Sequence, residues 1–280
     1  MLPEESFLEM LEEYLSSDET ILLSFDRTGL NIQQELKKED PDLRQIERLI
    51  TRDQALTSQV LRTSNSAFFK GLSKVSTIRE AIVRLGTMEV GNIITIVLHG
   101  RNFYSKIPFF RDIMAKLWKH SVGCAIGAQW LAKECGFQSI SNEAFIAGLL
   151  HDVGKLFLIT VIEKIKTSGK LMVQPSVVLI NQVMETLHSE QGYTLMNNWN
   201  LPESYCIIAR DHHLESINPD DSLLTLVKMA NKACNKIGIG SIKNGSFMLT
   251  ATPEAHYLGL SEVSIAKLEI KLEDSLHLSQ

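Results

Sequence analysis

The sequence lacks the features that define several large classes of protein. Its 280 residues contain only four cysteines, none in a Cys-x-x-Cys spacing, which argues against a disulfide framework or a zinc ribbon. Asp and Glu outnumber Lys and Arg by 33 to 28, and the net charge of −5 argues against general nucleic-acid binding. There is no basic-then-apolar N-terminal signal, and the most apolar runs, residues 91–99 and 145–162, are too short or too interrupted by charge to cross a bilayer. We therefore expect a cytoplasmic protein that does not enter a membrane and keeps its thiols reduced.

Alternating polar and apolar residues, long Gly/Ser linkers and internal repeats are also hard to find. Apolar positions instead recur every three or four residues, which predicts an all-α protein. Short helical patterns fill residues 38–105 and must pack as a subdomain, because helices of this length are not stable alone. Longer patterns over residues 106–240 predict a helical bundle. We expect residues 1–37 to form an N-terminal helical extension and residues 241–280 a C-terminal helical tail.

One predicted helix is apolar nearly all round and yet contains three ionisable side chains. It runs from Glu143 to Lys164 and includes His151, Asp152 and Lys155 on one face. Uncompensated buried charge costs several kcal/mol, so such a cluster must be paired or must bind a metal. The pair of His151 and Asp152, taken alone, is equally consistent with a hydrogen-bonded pair in the core.

Further candidate ligands lie on, or at the ends of, the inward faces of other predicted helices: His120, His188, His212, His213 and Asn231. A single histidine on an apolar helix face is usually a satisfied core residue. Five histidines, counting His151, and one aspartate on separate helices instead predict a shared metal pocket. Imidazole and carboxylate ligands together suit zinc, iron, nickel or manganese.

The order of these residues resembles the HD superfamily of metal-dependent phosphohydrolases, and the surrounding sequence is similar to its HDOD (HD-related output domain) family. The resemblance covers residues 38–236 and rests on six motifs: Ile50–Ala67, Ile78–Gly86, Gly148–Leu156, Glu185–Gly192, Trp199–Pro202 and Asp211–His213. It implies an HD-like helical bundle preceded by a subdomain of short helices. It also implies a regulatory role in bacterial signalling, and for many HDOD proteins no catalytic activity is established.

The resemblance implies two adjacent metal positions. The first would be held by His120, His151, Asp152 and, where the family usually has an aspartate, Asn231. The second would be held by Asp152 as a bridging ligand, His188, His212 and His213. In an active enzyme Asp152 and Lys155 would serve catalysis, the first as the bridge and the second as a contact to a phosphate oxygen.

Three departures from the family pattern argue against hydrolysis of cyclic di-GMP. Asn231 is a neutral amide in place of a carboxylate. Residues 214–219 stand where the HD-GYP phosphodiesterases have a Gly-Tyr-Pro loop, and Lys116 stands where some three-metal members have a glutamate. With Asp152 as the sole anionic ligand, two divalent ions would leave about three uncompensated positive charges. We therefore predict one tightly bound ion, in the second position, with the first weakly occupied or empty.

Two functions remain open. The chain is either a regulatory or binding module of bacterial signal transduction, or a metal-dependent phosphohydrolase that acts as a phosphodiesterase or phosphomonoesterase on a nucleotide-like substrate. The expected cofactor is one divalent ion of iron, zinc, manganese or nickel rather than two, and a pocket without metal is the alternative. The expected partner is a signalling protein or a nucleotide-like ligand, and a homodimer is compatible with the sequence.

Overall fold

The computed structural model describes residues 3–16, 28–36, 38, 41–66, 69, 71, 73–171, 175–240 and 248–275. These residues form fourteen α-helices and two short 3-10 helices, without a strand, which confirms the predicted all-α fold. In chain order the α-helices are α1 (Pro3–Ser16), α2 (Thr28–Leu36), α3 (Leu43–Thr51), α4 (Gln54–Ser64), α5 (Ile78–Leu85), α6 (Thr87–Gly100), α7 (Pro108–Glu134), α8 (Ser141–Leu150), α9 (Val153–Thr167), α10 (Val177–Asn198), α11 (Glu203–Asp211), α12 (Ser222–Ile237), α13 (Pro253–Tyr257) and α14 (Glu262–Ser275).

The described residues fall into two compact units, one drawn from Met1–Ser24 and Phe103–Leu276 and the other from Phe25–Asn102. The division after Asn102 lies near the predicted boundary at 105/106. Within the predicted extension, residues 1–37, α1 belongs to the larger unit and α2 to the smaller one, and within the predicted tail, residues 241–280, α13 and α14 belong to the larger unit. The predicted boundaries at 37/38 and 240/241 adjoin residues 37 and 241–247, which lie outside the described residues.

The smaller unit packs the short helices α2–α6 around an aliphatic core. Local signals fix where these helices begin and turn. The carboxylate of Asp53 accepts hydrogen bonds from the first turn of α4, and Thr77 and Glu80 form a capping box at the start of α5. The chain then bends by 115° between α5 and α6 at Gly86, whose φ of 83° favours glycine. Each helix gains its stability mainly from this packing, because eight to fourteen residues are marginal alone.

The larger unit is a bundle around α7, which packs against α8, α12 and α14, while α9 packs against α1 and α10. Pro108 occupies the first turn of α7, where its missing N–H costs no hydrogen bond. Length and composition alone would let residues 138–167 cross a bilayer, contrary to our expectation, but this stretch is almost entirely buried among the other helices of the bundle. Burial on all sides is typical of a central core helix.

Candidate metal centre

The central apolar stretch is interrupted at the two residues that carry its chemistry. The sequence pattern predicts one continuous helix, but α8 ends at Leu150 and α9 begins at Val153. Asp152 has φ −102° and ψ 16°, and its carboxylate does not cap α9. In a continuous helix, adjacent side chains point about 100° apart. The break lets His151 and Asp152 reach the same pocket.

Asp152 is the point on which imidazoles from four other positions converge. Its Oδ1 lies 3.4 Å from Nε2 of His188 and 3.3 Å from Nε2 of His212. Its Oδ2 lies 3.6 Å from Nε2 of His120 and 3.6 Å from Nε2 of His151. All five side chains are buried, so one carboxylate faces two pairs of imidazoles away from solvent.

A backbone carbonyl orients each of these four buried histidines. The Nδ1–O distances are 3.0 Å from His120 to Ile239, 2.8 Å from His151 to Gly148, 2.7 Å from His188 to Met184 and 3.0 Å from His212 to Ala209. Because a carbonyl oxygen can only accept a hydrogen bond, Nδ1 donates, and Nε2 of the neutral ring presents its lone pair to the pocket. Metal-binding histidines are usually held in this way.

The hydrogen-bond acceptors that face the pocket lie close to one another without enough donors between them among the residues that the structure describes. Nε2 of His188 lies 3.4 Å from Nε2 of His212, and Oδ1 of Asp152 has no hydrogen-bond partner among the described residues. A proton on His213, whose Nε2 lies 3.0 Å from that of His188, or the hydroxyl of Ser189 could satisfy His188 alone. Neither supplies a donor to Oδ1 of Asp152. A cation satisfies all of these acceptors at once, so the donor set fits a divalent metal ion.

The candidate ligand atoms form two groups that share Asp152. One contains Asp152, His188, His212 and His213, and the other contains His120, His151 and Asp152. Within each group the candidate atoms lie within 4.8 Å of one another, and His213 is the exposed member of the first. The structure therefore brings together all of the histidines and the aspartate that the sequence analysis selects.

Lys155 lies beside Asp152 and occupies one side of its carboxylate. Its Nζ lies 3.0 Å from Oδ2 of Asp152 and 3.1 Å from Oε1 of Glu185, a residue that remains exposed. A cavity of about 70 Å³ adjoins these groups. Its lining consists of Leu117, His120, Asp152, Lys155, Asn181, Met184, Glu185 and Asn235. The ammonium of Lys155 is thus held between two carboxylates at the wall of this cavity.

Burial and charge set the protonation of the pocket. Desolvation lowers the pKa of His120, His151 and His188, although the charge of Asp152 acts in the opposite direction. Burial alone would raise the pKa of Asp152, but the charge of the adjacent Lys155 acts in the opposite direction, and the pKa lies well below its ordinary value. Near neutral pH the pocket therefore combines an ionised carboxylate with neutral rings at His120, His151 and His188, the protonation state that metal binding requires.

Three glycines permit the close contacts around the centre. A Cβ on Gly148 would lie 2.6 Å from the carbonyl oxygen of Cys124, and a Cβ on Gly154 would lie 1.9 Å from that of His188. Gly240 has a φ of 117°, and a Cβ there would lie 3.0 Å from the Cβ of His120. The helices α7 and α10 can approach the two sides of the break only because these positions lack a side chain.

Asn231 is buried on α12, and its side-chain oxygen accepts a hydrogen bond from Asn235 at 3.1 Å.

Sequence reasoning missed a neighbouring group formed by His120, Cys124 and Cys234, whose candidate ligand atoms lie within 4.8 Å of one another. The four-residue spacing from His120 to Cys124 was visible in the sequence. The contact that brings Cys234 to them was not, because it depends on how α12 packs against α7. Glu185, the second partner of Lys155, was also missed.

A family model, the HDOD domain, matches residues 22–215 of the chain. The chain belongs to the HDOD family. An uncharacterised protein of Treponema pallidum (strain Nichols) is 30% identical in an alignment of 210 residues that covers 72% of this chain. The match spans 40% of that relative, so more than half of the relative's length lies outside the matched region.

Solved structures share the fold of this HDOD protein along nearly its whole length. An HDOD domain protein of unknown function from Geobacter sulfurreducens has a TM-score of 0.71 at 24% identity, covering 98% of this chain and 97% of that one. A Shewanella amazonensis SB2B protein, proposed by its name to be a metal-dependent phosphohydrolase, has a TM-score of 0.71 at 18% identity, covering 99% and 100%. A Marinobacter aquaeolei VT8 protein, proposed by its name to act in signal transduction, has a TM-score of 0.66 at 18% identity, covering 99% and 66%. At these identities the likeness concerns the fold.

Proposed function

We propose that this HDOD protein is a regulatory module of signal transduction whose pocket binds one divalent metal ion on Asp152, His188, His212 and His213. The observation that carries the proposal is the unequal surroundings of the two oxygens of Asp152. Oδ1 faces only imidazoles and has no hydrogen-bond partner among the described residues. Oδ2 is already 3.0 Å from the ammonium of Lys155.

Lys155 disfavours a second ion on the Oδ2 side. Two unit positive charges about 4 Å apart repel by about 4 kcal/mol at an effective dielectric constant of about 20, and a divalent ion doubles this cost. Nε2 of His151 has no hydrogen-bond partner within the described part of the chain, so an ion on that side would gain ligands. It would gain no anion of its own, since Asn231 is neutral and Asp152 is shared. The Oδ1 side is therefore the favoured position.

The roles of the chain's own residues follow from their contacts. Asp152 supplies the negative charge, and the carbonyls that accept from Nδ1 hold His188 and His212 with their lone pairs inward. A bound divalent ion would supply Lewis-acid character to any ligand that enters the pocket. With one ion rather than a pair, a phosphoryl group would be clamped from one side only, so we expect feeble hydrolysis or none.

A phosphohydrolase is the second candidate, and one observation favours it. The cavity beside Asp152 is lined by Lys155, whose ammonium is suited to a phosphate oxygen. Lys155 is however paired with Asp152 and Glu185, so a phosphate would have to compete with two carboxylates for it. The same cavity could take the phosphate of a nucleotide-like regulatory ligand. A signalling protein as partner, and a homodimer, remain predictions of the sequence.

The test is the number of Mn²⁺ ions bound by chelator-treated protein, measured by isothermal titration calorimetry. Mn²⁺ is chosen because it prefers carboxylate and imidazole ligands to thiols. We expect one tight ion in the natural protein and two in Asn231→Asp. The matched control is Asn197→Asp, which adds the same charge at an exposed position of α10 and should leave one ion.

Turnover distinguishes the two functions in the same samples. The natural protein should hydrolyse nitrophenyl phosphate and bis-nitrophenyl phosphate feebly or not at all, with and without Mn²⁺. Two tight ions in the natural protein together with brisk hydrolysis of either compound would contradict the proposal and favour the enzyme.

A further inference from the structure

A second group of candidate metal ligands lies next to the centre; it shares His120 with the first metal position, and its two cysteines have no role in the proposed function. Cys124 follows His120 by one turn of α7, and its Sγ lies 3.5 Å from Nε2 of that histidine. Cys234 approaches from α12, so that the two sulfurs and Nε2 all lie within 4.8 Å of one another. All three side chains are buried, with Cys124 and Cys234 fully so.

The backbone around this group is arranged to keep its members together. A Cβ on Gly123 would lie 3.0 Å from Sγ of Cys234, so the approach of α12 to α7 depends on that glycine. The carbonyl oxygen of Ile239 accepts from Nδ1 of His120, which leaves Nε2 as a lone pair facing Cys124. Burial and the neighbouring thiol of Cys234 raise the pKa of Cys124 well above its ordinary value, so this thiol carries its proton in the absence of a metal.

The chemistry of two thiols and one imidazole differs from that of the Asp152 group. Zinc lies about 2.3 Å from thiolate sulfur and about 2.0–2.1 Å from imidazole nitrogen, so ligand atoms in a tetrahedral site lie roughly 3.5–3.8 Å apart. The distance of 3.5 Å between Cys124 and His120 already matches this spacing. Thiolates favour soft and borderline ions such as zinc, cadmium and Cu(I), whereas carboxylates favour harder ions such as manganese.

We propose that His120, Cys124 and Cys234 form a thiophilic metal site that competes with the first position of the HD-like pocket for His120. A divalent ion M²⁺ would bind two thiols and release two protons to solvent, so that two thiolates balance its charge. The first position offers only a share of Asp152, whose Oδ2 is paired with Lys155. Since Nδ1 of His120 is committed to Ile239, Nε2 can ligate one ion only, and the two arrangements exclude each other.

The test is a titration of chelator-treated protein with Cd²⁺ in a phosphine reductant, followed by the ultraviolet charge-transfer absorption of cadmium thiolate. We expect a band that saturates at one equivalent, is lost on adding excess Zn²⁺ and persists on adding excess Mn²⁺. Cys124→Ser and Cys234→Ser should each abolish or strongly weaken it. The matched control is Cys206→Ser, which alters another buried cysteine on α11, and it should keep the band.

Two further measurements keep the proposal independent of folding defects and of the proposed function. His213→Ala removes a ligand of the Asp152 group and should weaken Mn²⁺ binding while leaving the cadmium band unchanged. In the natural protein, held at a urea concentration just below its unfolding transition so that buried thiols open transiently, Cd²⁺ should protect Cys124 and Cys234 from alkylation, detected by mass spectrometry. Absence of the band, its persistence in both serine variants, or equal alkylation of these cysteines with and without Cd²⁺ would overturn the thiophilic site and leave a buried thiol–imidazole hydrogen bond in its place.

Discussion

The close contact between α9 and α10 gives a sharp test of how the centre is built. A Cβ on Gly154 would lie 1.9 Å from the carbonyl oxygen of His188 and 2.8 Å from the backbone nitrogen of Gly192. Both are backbone atoms, so rotation of a side chain cannot relieve the contact. Ordinary contact begins near 3.4 Å, so Gly154→Ala must separate the two helices by roughly 1.5 Å.

The expected cost of this change can be set against a matched variant on the facing helix. Overpacking in a core costs about 1–3 kcal/mol, and we place Gly154→Ala at about 3 kcal/mol because backbone must move. A Cβ on Gly192 would meet its nearest atoms at 3.4–3.7 Å, which is ordinary contact. Gly192→Ala should therefore be neutral or stabilising by up to about 1 kcal/mol, the helix preference for alanine over glycine.

The assay combines thermal unfolding with Mn²⁺ titration of the folded variants. Gly154→Ala should lower the melting temperature by roughly 5–10 °C and weaken Mn²⁺ binding, because its clash pushes away the helix turn that carries His188. Gly192→Ala should retain both properties. If the two alanine variants proved equally stable and bound Mn²⁺ equally well, the reasoning that links this helix contact to the site would be refuted.

Three further predictions address charge, pH and the smaller unit. Lys155→Met should raise the affinity for Mn²⁺ about tenfold or more by calorimetry, because an ammonium no longer shares Asp152; unchanged or weaker binding would contradict this. Burial lowers the pKa of His99 to about 4, so below about pH 6.5 the unfolded chain binds a proton at this residue and the folded chain does not. The free energy of unfolding of the metal-free protein should therefore fall by about 3 kcal/mol through this residue between pH 6.5 and 4. Urea unfolding should show a shallower loss in His99→Gln, and an identical pH dependence would count against the assignment. Asn65→Ala removes two hydrogen bonds of 2.9 Å to the backbone of Val75, so it should destabilise the smaller unit by about 2 kcal/mol while Mn²⁺ binding stays unchanged.

The elements that could be predicted from the sequence are those specified by local patterns. Helical spacing of apolar residues gave the all-α fold, and ionisable side chains in apolar helices pointed to the group around Asp152. The break at His151 and Asp152 has no such signal, because an unbroken apolar pattern continues through it and the interruption depends on what packs against each side. In the same way, α1, on which Phe7 and Leu11 are buried, joins the larger unit by packing against α9, a long-range contact that no local pattern encodes.

The contacts between helices that determine the chemistry of the site could not be predicted from the sequence. The pairing of Lys155 with Glu185 joins α9 to α10, and the approach of Cys234 to His120 joins α12 to α7. Both contacts depend on helix packing. Gly123 and Gly154 permit this packing, but a glycine in the sequence does not predict which helix will approach it. The sequence can therefore predict candidate ligands. Only the folded structure shows that one oxygen of Asp152 faces a candidate cation site while the other is paired with Lys155.

The central claim is that one metal ion sits on the Oδ1 side of Asp152. Its most direct test is an anomalous-difference map from crystals of the natural protein grown with Mn²⁺, recorded at the manganese absorption edge. We expect a single peak within bonding distance of Asp152, His188, His212 and His213. Two peaks of similar height, or one peak between His120 and His151, would contradict the account.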